Sequence, residues 1–89
     1  MTHHDLHTLI IAGHVSGIVL YDGGDGDGYE VWPEAPVSPS ALWSEATRSG
    51  ERLRTARGSV RRWRSADRAI DYIRRLGYSG RITVEAPNA

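Results

Sequence analysis

Residues 8–21 read TLIIAGHVSGIVLY, and the division of that stretch decides the fold. Thr8 to Ala12 and Gly17 to Tyr21 are both apolar and β-branched, with His14-Val15-Ser16-Gly17 between them. By pattern this is a hairpin. Neither run alternates cleanly between apolar and polar, which predicts strands covered on both faces at the centre of a sheet.

Working outward, residues 22–28 read DGGDGDG; four glycines make regular structure there costly to order. Tyr29 to Trp32 alternates as a short strand that Pro33 ends. Ser38-Pro39 predicts the start of a helix running to about Ser49, with Leu42, Trp43 and Ala46 on one side and Gly50 as its stop. Arg52–Ala56 and Val60–Arg64 read as a second hairpin around Arg57-Gly58-Ser59, a loop length that sets Leu53 opposite Trp63. Ser65 caps a helix over 66–76 whose Ala66, Ala69, Ile70 and Ile73 form one stripe; Asp71 is spaced to pair with Arg75, and Gly77 ends it. Arg81 to Glu85 closes the chain as a strand with Ile82 and Val84 inward.

The expected fold class is α+β: a mainly antiparallel sheet, in ββ then βαββαβ order, with two helices packed on one face. Its topology stays open between a ferredoxin-like unit with an added hairpin and a sheet with that hairpin in the middle. The 89 residues make a single domain, 1–89, with residues 1–7 and 86–89 expected to fray. No cysteine is present, which excludes disulfides, thiolate nucleophiles and cysteine zinc sites. The longest apolar run is too short to cross a bilayer and no basic segment precedes it, so a soluble, cytoplasmic protein is expected.

Charge is the second organising feature. All eleven basic residues are arginines between Arg48 and Arg81. Residues 1–47 hold no base and seven acids, a net −7; the remainder sets eleven arginines against Glu51, Asp67, Asp71 and Glu85, a net +7. A formal net charge of zero therefore conceals a dipolar chain, which points to binding through charged surfaces. The lysine-free composition is also what a GC-rich genome writes, but codon bias does not separate charges by half.

Two stretches stand out as binding candidates. One is the acidic loop, Asp22, Asp25, Asp27 and Glu30. It fails as an EF-hand, because counting from Asp25 places Tyr29 at the fifth position where an oxygen ligand belongs. It fails as a phosphate loop for want of a lysine. The reading kept is an acidic finger that docks on a basic partner. The other is the arginine hairpin with its aromatic, Arg52, Arg54, Arg57, Arg61, Arg62, Trp63 and Arg64: guanidinium groups grip phosphate and carboxylate and stack on rings. Arg57-Gly58 resembles the opening of an RNA-recognition motif's third-strand signature, but Ser59, Val60, Arg61 and Arg62 stand where its aromatics belong. Equally open is the reading that these arginines neutralise the acidic half internally. His3, His4 and His7 have ligand chemistry without a structured context, and His14 is expected solvated in its turn. No catalytic residues, metal site or cofactor are assigned.

The segments Leu53-Arg54-Thr55-Ala56-Arg57-Gly58, Trp63-Arg64-Ser65-Ala66-Asp67-Arg68-Ala69 and Leu76-Gly77-Tyr78-Ser79-Gly80 resemble the tail of small accessory proteins carried on plasmids and integrative elements of GC-rich bacteria. Some small mobile-element proteins of this size are anti-CRISPR or anti-restriction inhibitors. The resemblance implies a non-enzymatic protein that binds a host nuclease or nucleoprotein complex and blocks it, with no small-molecule substrate, cofactor or membrane. The alternative expectation is a DNA- or RNA-binding regulator acting through the arginine hairpin. A third is self-association, acidic half on basic half.

Overall fold

The structure is a computed structural model, describing residues 1–22, 28–48 and 50–85. Asp25 and Asp27 of the acidic loop, Ser49 and the 86–89 tail lie outside the described residues. In chain order the elements are α1 (His3–Ile11), β1 (Gly17–Asp22), β2 (Tyr29–Glu34), α2 (Ala41–Ala46), β3 (Arg62–Trp63), α3 (Ala66–Arg75) and β4 (Ile82–Glu85). One four-stranded sheet runs β3-β2-β1-β4, antiparallel except for the parallel β1–β4 pair. The fold class is α+β, as expected.

The hairpin expected over residues 8–21 does not form: its first half is the second half of α1. Thr2 and Asp5 make a reciprocal cap, with Thr2 Oγ1 accepting from the Asp5 N–H (3.3 Å) and the Asp5 carboxylate accepting from the Thr2 N–H (3.0 Å). Such a box satisfies two of the amide donors that a helix start orphans. Leu6 and Leu9 fall on one face and are buried, while Ile11 is exposed. Ala12 is the C-cap, and Gly13 beyond it adopts a φ of 73°, a conformation that glycine reaches without steric cost. Residues 1–7 are not frayed either. Met1 is 0% exposed, its amino group donates to Gly50 O (3.0 Å), and its carbonyl accepts from Arg54 N (2.7 Å). Burial holds the pKa of that amino group below its usual value, with Asp5 opposing.

β1 and β2 pair along their whole length, Gly17 with Glu34 through Asp22 with Tyr29. β2 continues through Pro33, which was expected to end it. Val31 O, on the edge away from β1, accepts from Leu53 N (2.9 Å). Pro33, two residues on, turns its missing donor to that same edge, past the reach of β3, where no ladder bond is lost.

The second expected hairpin shrinks to one bridge, Arg54 with Val60. Its loop is Thr55–Ser59, closed by Thr55 N to Ser59 O (2.7 Å), and Arg61 N donates to Leu53 O (3.0 Å). Leu53 thus faces Arg61, a slip of two from the expected register. Trp63 pairs instead with Tyr29 of β2.

α3 is as read from sequence. Ser65 Oγ accepts from Arg68 N (3.3 Å), Ala69 and Ile73 are buried, and Asp71 pairs with Arg75 at 3.0 Å. It links edge strand β3 to the opposite edge, β4, and packs on β2 and β3. Among the described residues three helices therefore accompany the sheet, not two.

A single core joins Met1, Leu6 and Leu9, the sheet residues Ile18, Leu20 and Val31, then Trp43, Leu53, Ala69 and Ile73. Ile18, Leu20 and Val31 share one face of the pleat. The other face therefore carries Val19, Tyr21, Glu30, Trp32, Glu34, Thr83 and Glu85.

Candidate binding face on the open side of the sheet

The arginines expected to line one ribbon go to different places. Arg52 and Arg62 converge on Glu30: Arg52 Nη1 lies 3.1 Å from Oε1, and Arg62 Nη2 3.0 Å from Oε2. Trp32 Nε1 also donates to Oε1 (3.1 Å). Burial by itself would push the Glu30 carboxyl pKa up. The donors from Trp32, Arg62 and Arg52 outweigh it and hold the pKa below the usual carboxylate value. Glu30 is only 7% exposed, so it is an internal junction and not the docking carboxylate expected of it. Asp22 closes β1 half-buried and is itself engaged.

Arg61 turns to the α3 side, where its guanidinium lies 4.9 Å from the centres of both the Trp63 and Tyr72 rings. Those rings pack on each other at 4.7 Å, and Tyr72 OH meets His3 Nδ1 at 2.7 Å. Burial raises the Tyr72 pKa against the opposing pull of Arg61. Trp63 is therefore a half-buried packing residue rather than an exposed stacking platform. Arg54 donates through Nη1 to Gly58 O (2.8 Å) and straps its own turn. Arg57 and Arg64 are exposed, as is Arg68 of α3, and none of the three forms an ion pair with a carboxylate among the described residues. The arginines thus divide. Some neutralise acids internally, some support local structure, and Arg48, Arg57, Arg64 and Arg68 remain outward.

His14 is not the solvated turn residue expected. Its Nδ1 lies 3.0 Å from Ser40 Oγ, and its carbonyl accepts from Trp43 Nε1 at 2.6 Å. That exchange anchors the start of α2 to the chain leading into β1, which explains why α2 begins after Ser40 rather than at Ser38-Pro39. Among the described residues, no group of three histidines or carboxylates is placed to hold a metal ion, and no helix is long and apolar enough to cross a membrane.

The feature that sequence reasoning missed lies on the open face. Tyr21, 50% exposed on β1, stands beside Trp32 of β2 with ring centres 6.4 Å apart. With Val19 they floor a cleft of about 510 Å³ that runs to the β2 edge. Glu34, Glu51 and Glu85 are its charged lining residues, and Arg81 approaches Glu34 only at 3.9 Å. No arginine lines it. The Arg52 guanidinium sits beside it, 5.2 Å from the Trp32 ring centre. Aromatic faces and carboxylates around one concavity attract cations and repel anions. The available signal was parity: Val19, Tyr21, Trp32 and Glu34 occupy the positions between the core residues of their strands.

The chain matches no known protein family, no curated protein and no solved structure.

Proposed function

We propose that this protein is a non-catalytic binding domain that occupies a basic, nucleic-acid-facing surface of a protein partner, in the manner of the inhibitors found among the small mobile-element accessory proteins whose tail its last third resembles. The observation that carries the reading is the open sheet face. An aromatic floor of Tyr21 and Trp32, rimmed by Glu34, Glu51 and Glu85, offers a basic partner both buried area and opposite charge. A surface that binds nucleic acid is rich in lysine and arginine, so an acidic face competes directly with the phosphate backbone for it.

The test is capture of a partner from nuclease-treated bacterial lysate, followed by assay of that partner's nucleic-acid binding. A stoichiometric protein that survives digestion, and whose nucleic-acid binding falls as this protein is added, agrees with the proposal. A partner whose nucleic-acid binding is unchanged contradicts it.

One observation favours a second reading. Arg57, Arg64 and Arg68 are exposed without a carboxylate partner among the described residues, which suits direct phosphate contact. Recovered material that is mostly nucleic acid and vanishes on digestion supports that reading. Replacing two of the three by alanine then flattens the salt slope by roughly 2.

A further inference from the structure

We infer that the Tyr21–Trp32 cleft is a receptor for arginine side chains, taking guanidinium groups from an extended basic segment of a protein partner. This rests on the reading of the protein as a partner-binding domain and specifies which of its surfaces makes the contact and with what.

Three observations converge on that ligand. The cleft couples the rings of Tyr21, Trp32 and the nearly buried Trp43 to three carboxylates and is lined by no base, so its charge selects a cation. Its size, about 510 Å³, is that of a side-chain site rather than a single-ion site. The third comes from the chain's own chemistry on the same face. The Arg52 guanidinium lies 5.2 Å from the centre of the Trp32 ring while bonded to the Glu30 carboxylate. Ring below and carboxylate at the side is a complete guanidinium site, built here from the protein's own residues. The neighbouring Tyr21 ring has the same equipment, with Glu85 and Glu34 on the cleft wall, and no guanidinium of this chain stands over it among the described residues. A planar guanidinium stacks on a ring and keeps its edge donors for carboxylate, whereas an ammonium is a compact, strongly hydrated point charge. The cleft therefore discriminates arginine from lysine.

The experiment titrates an oligo-arginine peptide into the full chain at low salt, beside oligo-lysine and oligo-glutamate peptides of equal length, with calorimetric detection. Oligo-arginine binds more tightly than oligo-lysine, and oligo-glutamate does not bind. Tyr21→Ala and Glu85→Gln each weaken oligo-arginine by about tenfold, while Arg57→Ala, outside the cleft, leaves it unchanged. Tyr21 and Glu85 are both exposed, and thermal melts of the variants verify that the fold is kept. Equal affinity for oligo-arginine and oligo-lysine, or binding indifferent to Tyr21→Ala, overturns the inference in favour of diffuse attraction to an acidic surface. Sedimentation without peptide supplies the remaining arm. Oligomers that Arg57→Ala dissolves would make the occupant a second copy of this chain and overturn the choice of a foreign partner. The two levels fail separately. A lysate-captured partner that tolerates Tyr21→Ala sinks the cleft and leaves the binding domain. Arginine-selective peptide binding, with no partner whose nucleic-acid engagement is blocked, does the reverse.

Discussion

Glu30 is the residue on which the charge distribution turns. It draws Arg52, Arg62 and Trp32 together at one nearly buried carboxylate. Removing its charge strands two guanidinium groups that stay partly solvated. Glu30→Gln should therefore cost about 1–3 kcal/mol, less than breaking a fully buried pair, and urea denaturation measures it. The pH dependence has a definite sign. The folded-state pKa lies below the usual 4.5, so the stabilisation is in place above 4.5 and is lost as pH falls through the lower, folded value. Wild-type stability should drop in that acid range, and the Glu30→Gln curve should be flatter there. Gly28 is a second decisive position. Its φ is 100°, and a Cβ there would collide with the Trp63 carbonyl, which is backbone and has nowhere to move. Gly28→Ala should cost at least about 2 kcal/mol, seen as a lowered melting temperature together with loss of the β2–β3 pairing.

At the scale of elements, α1 shows why the opening stretch misled a reading by composition. Leu9, Ile10 and Ile11 are consecutive, and such a run is equally strand or helix until its flanks are weighed. The deciding signals were short and polar: Thr2 and Asp5 spaced as a capping box, and Gly13 as a stop. If α1 is fixed by its cap, Thr2→Ala should cost about 1 kcal/mol. Amide hydrogen exchange should show the loss localised to residues 3–11. By contrast, α3 was legible because every level agreed, from the Ser65 cap through the 3.6-residue stripe to Gly77. The Arg52–Arg64 hairpin was half legible. Its turn glycine was visible, but its register depended on Leu53 bonding to β2, a long-range contact that no local pattern encodes. The cleft was hidden for a related reason. Tyr21 and Trp32 look like core aromatics until it is known that the core lies on the side of Ile18, Leu20 and Val31.

For the whole molecule, the opposed charges of the two halves of the sequence survive only in part. The acids of β2 partly neutralise Arg52, Arg62 and Arg81, while Glu51 and Glu85 from the basic half join the acidic cleft. Two unlike surfaces remain: an acidic aromatic face on the open side of the sheet, and the outward guanidinium groups of Arg57, Arg64 and Arg68. Partner binding through the first should weaken with ionic strength less steeply than phosphate binding through the second. Part of the cleft's contribution is ring contact, which salt does not screen. The most direct measurement is partner affinity in two double variants, Tyr21→Ala with Glu85→Gln, and Arg57→Ala with Arg64→Ala. Tyr21 and Glu85 are cross-strand neighbours that act on one guanidinium, so their losses do not add independently. The cleft pair should weaken partner binding by at least about tenfold, while the arginine pair keeps it. Retention by the cleft pair and loss by the arginine pair would contradict the account and make the guanidinium surface the working one.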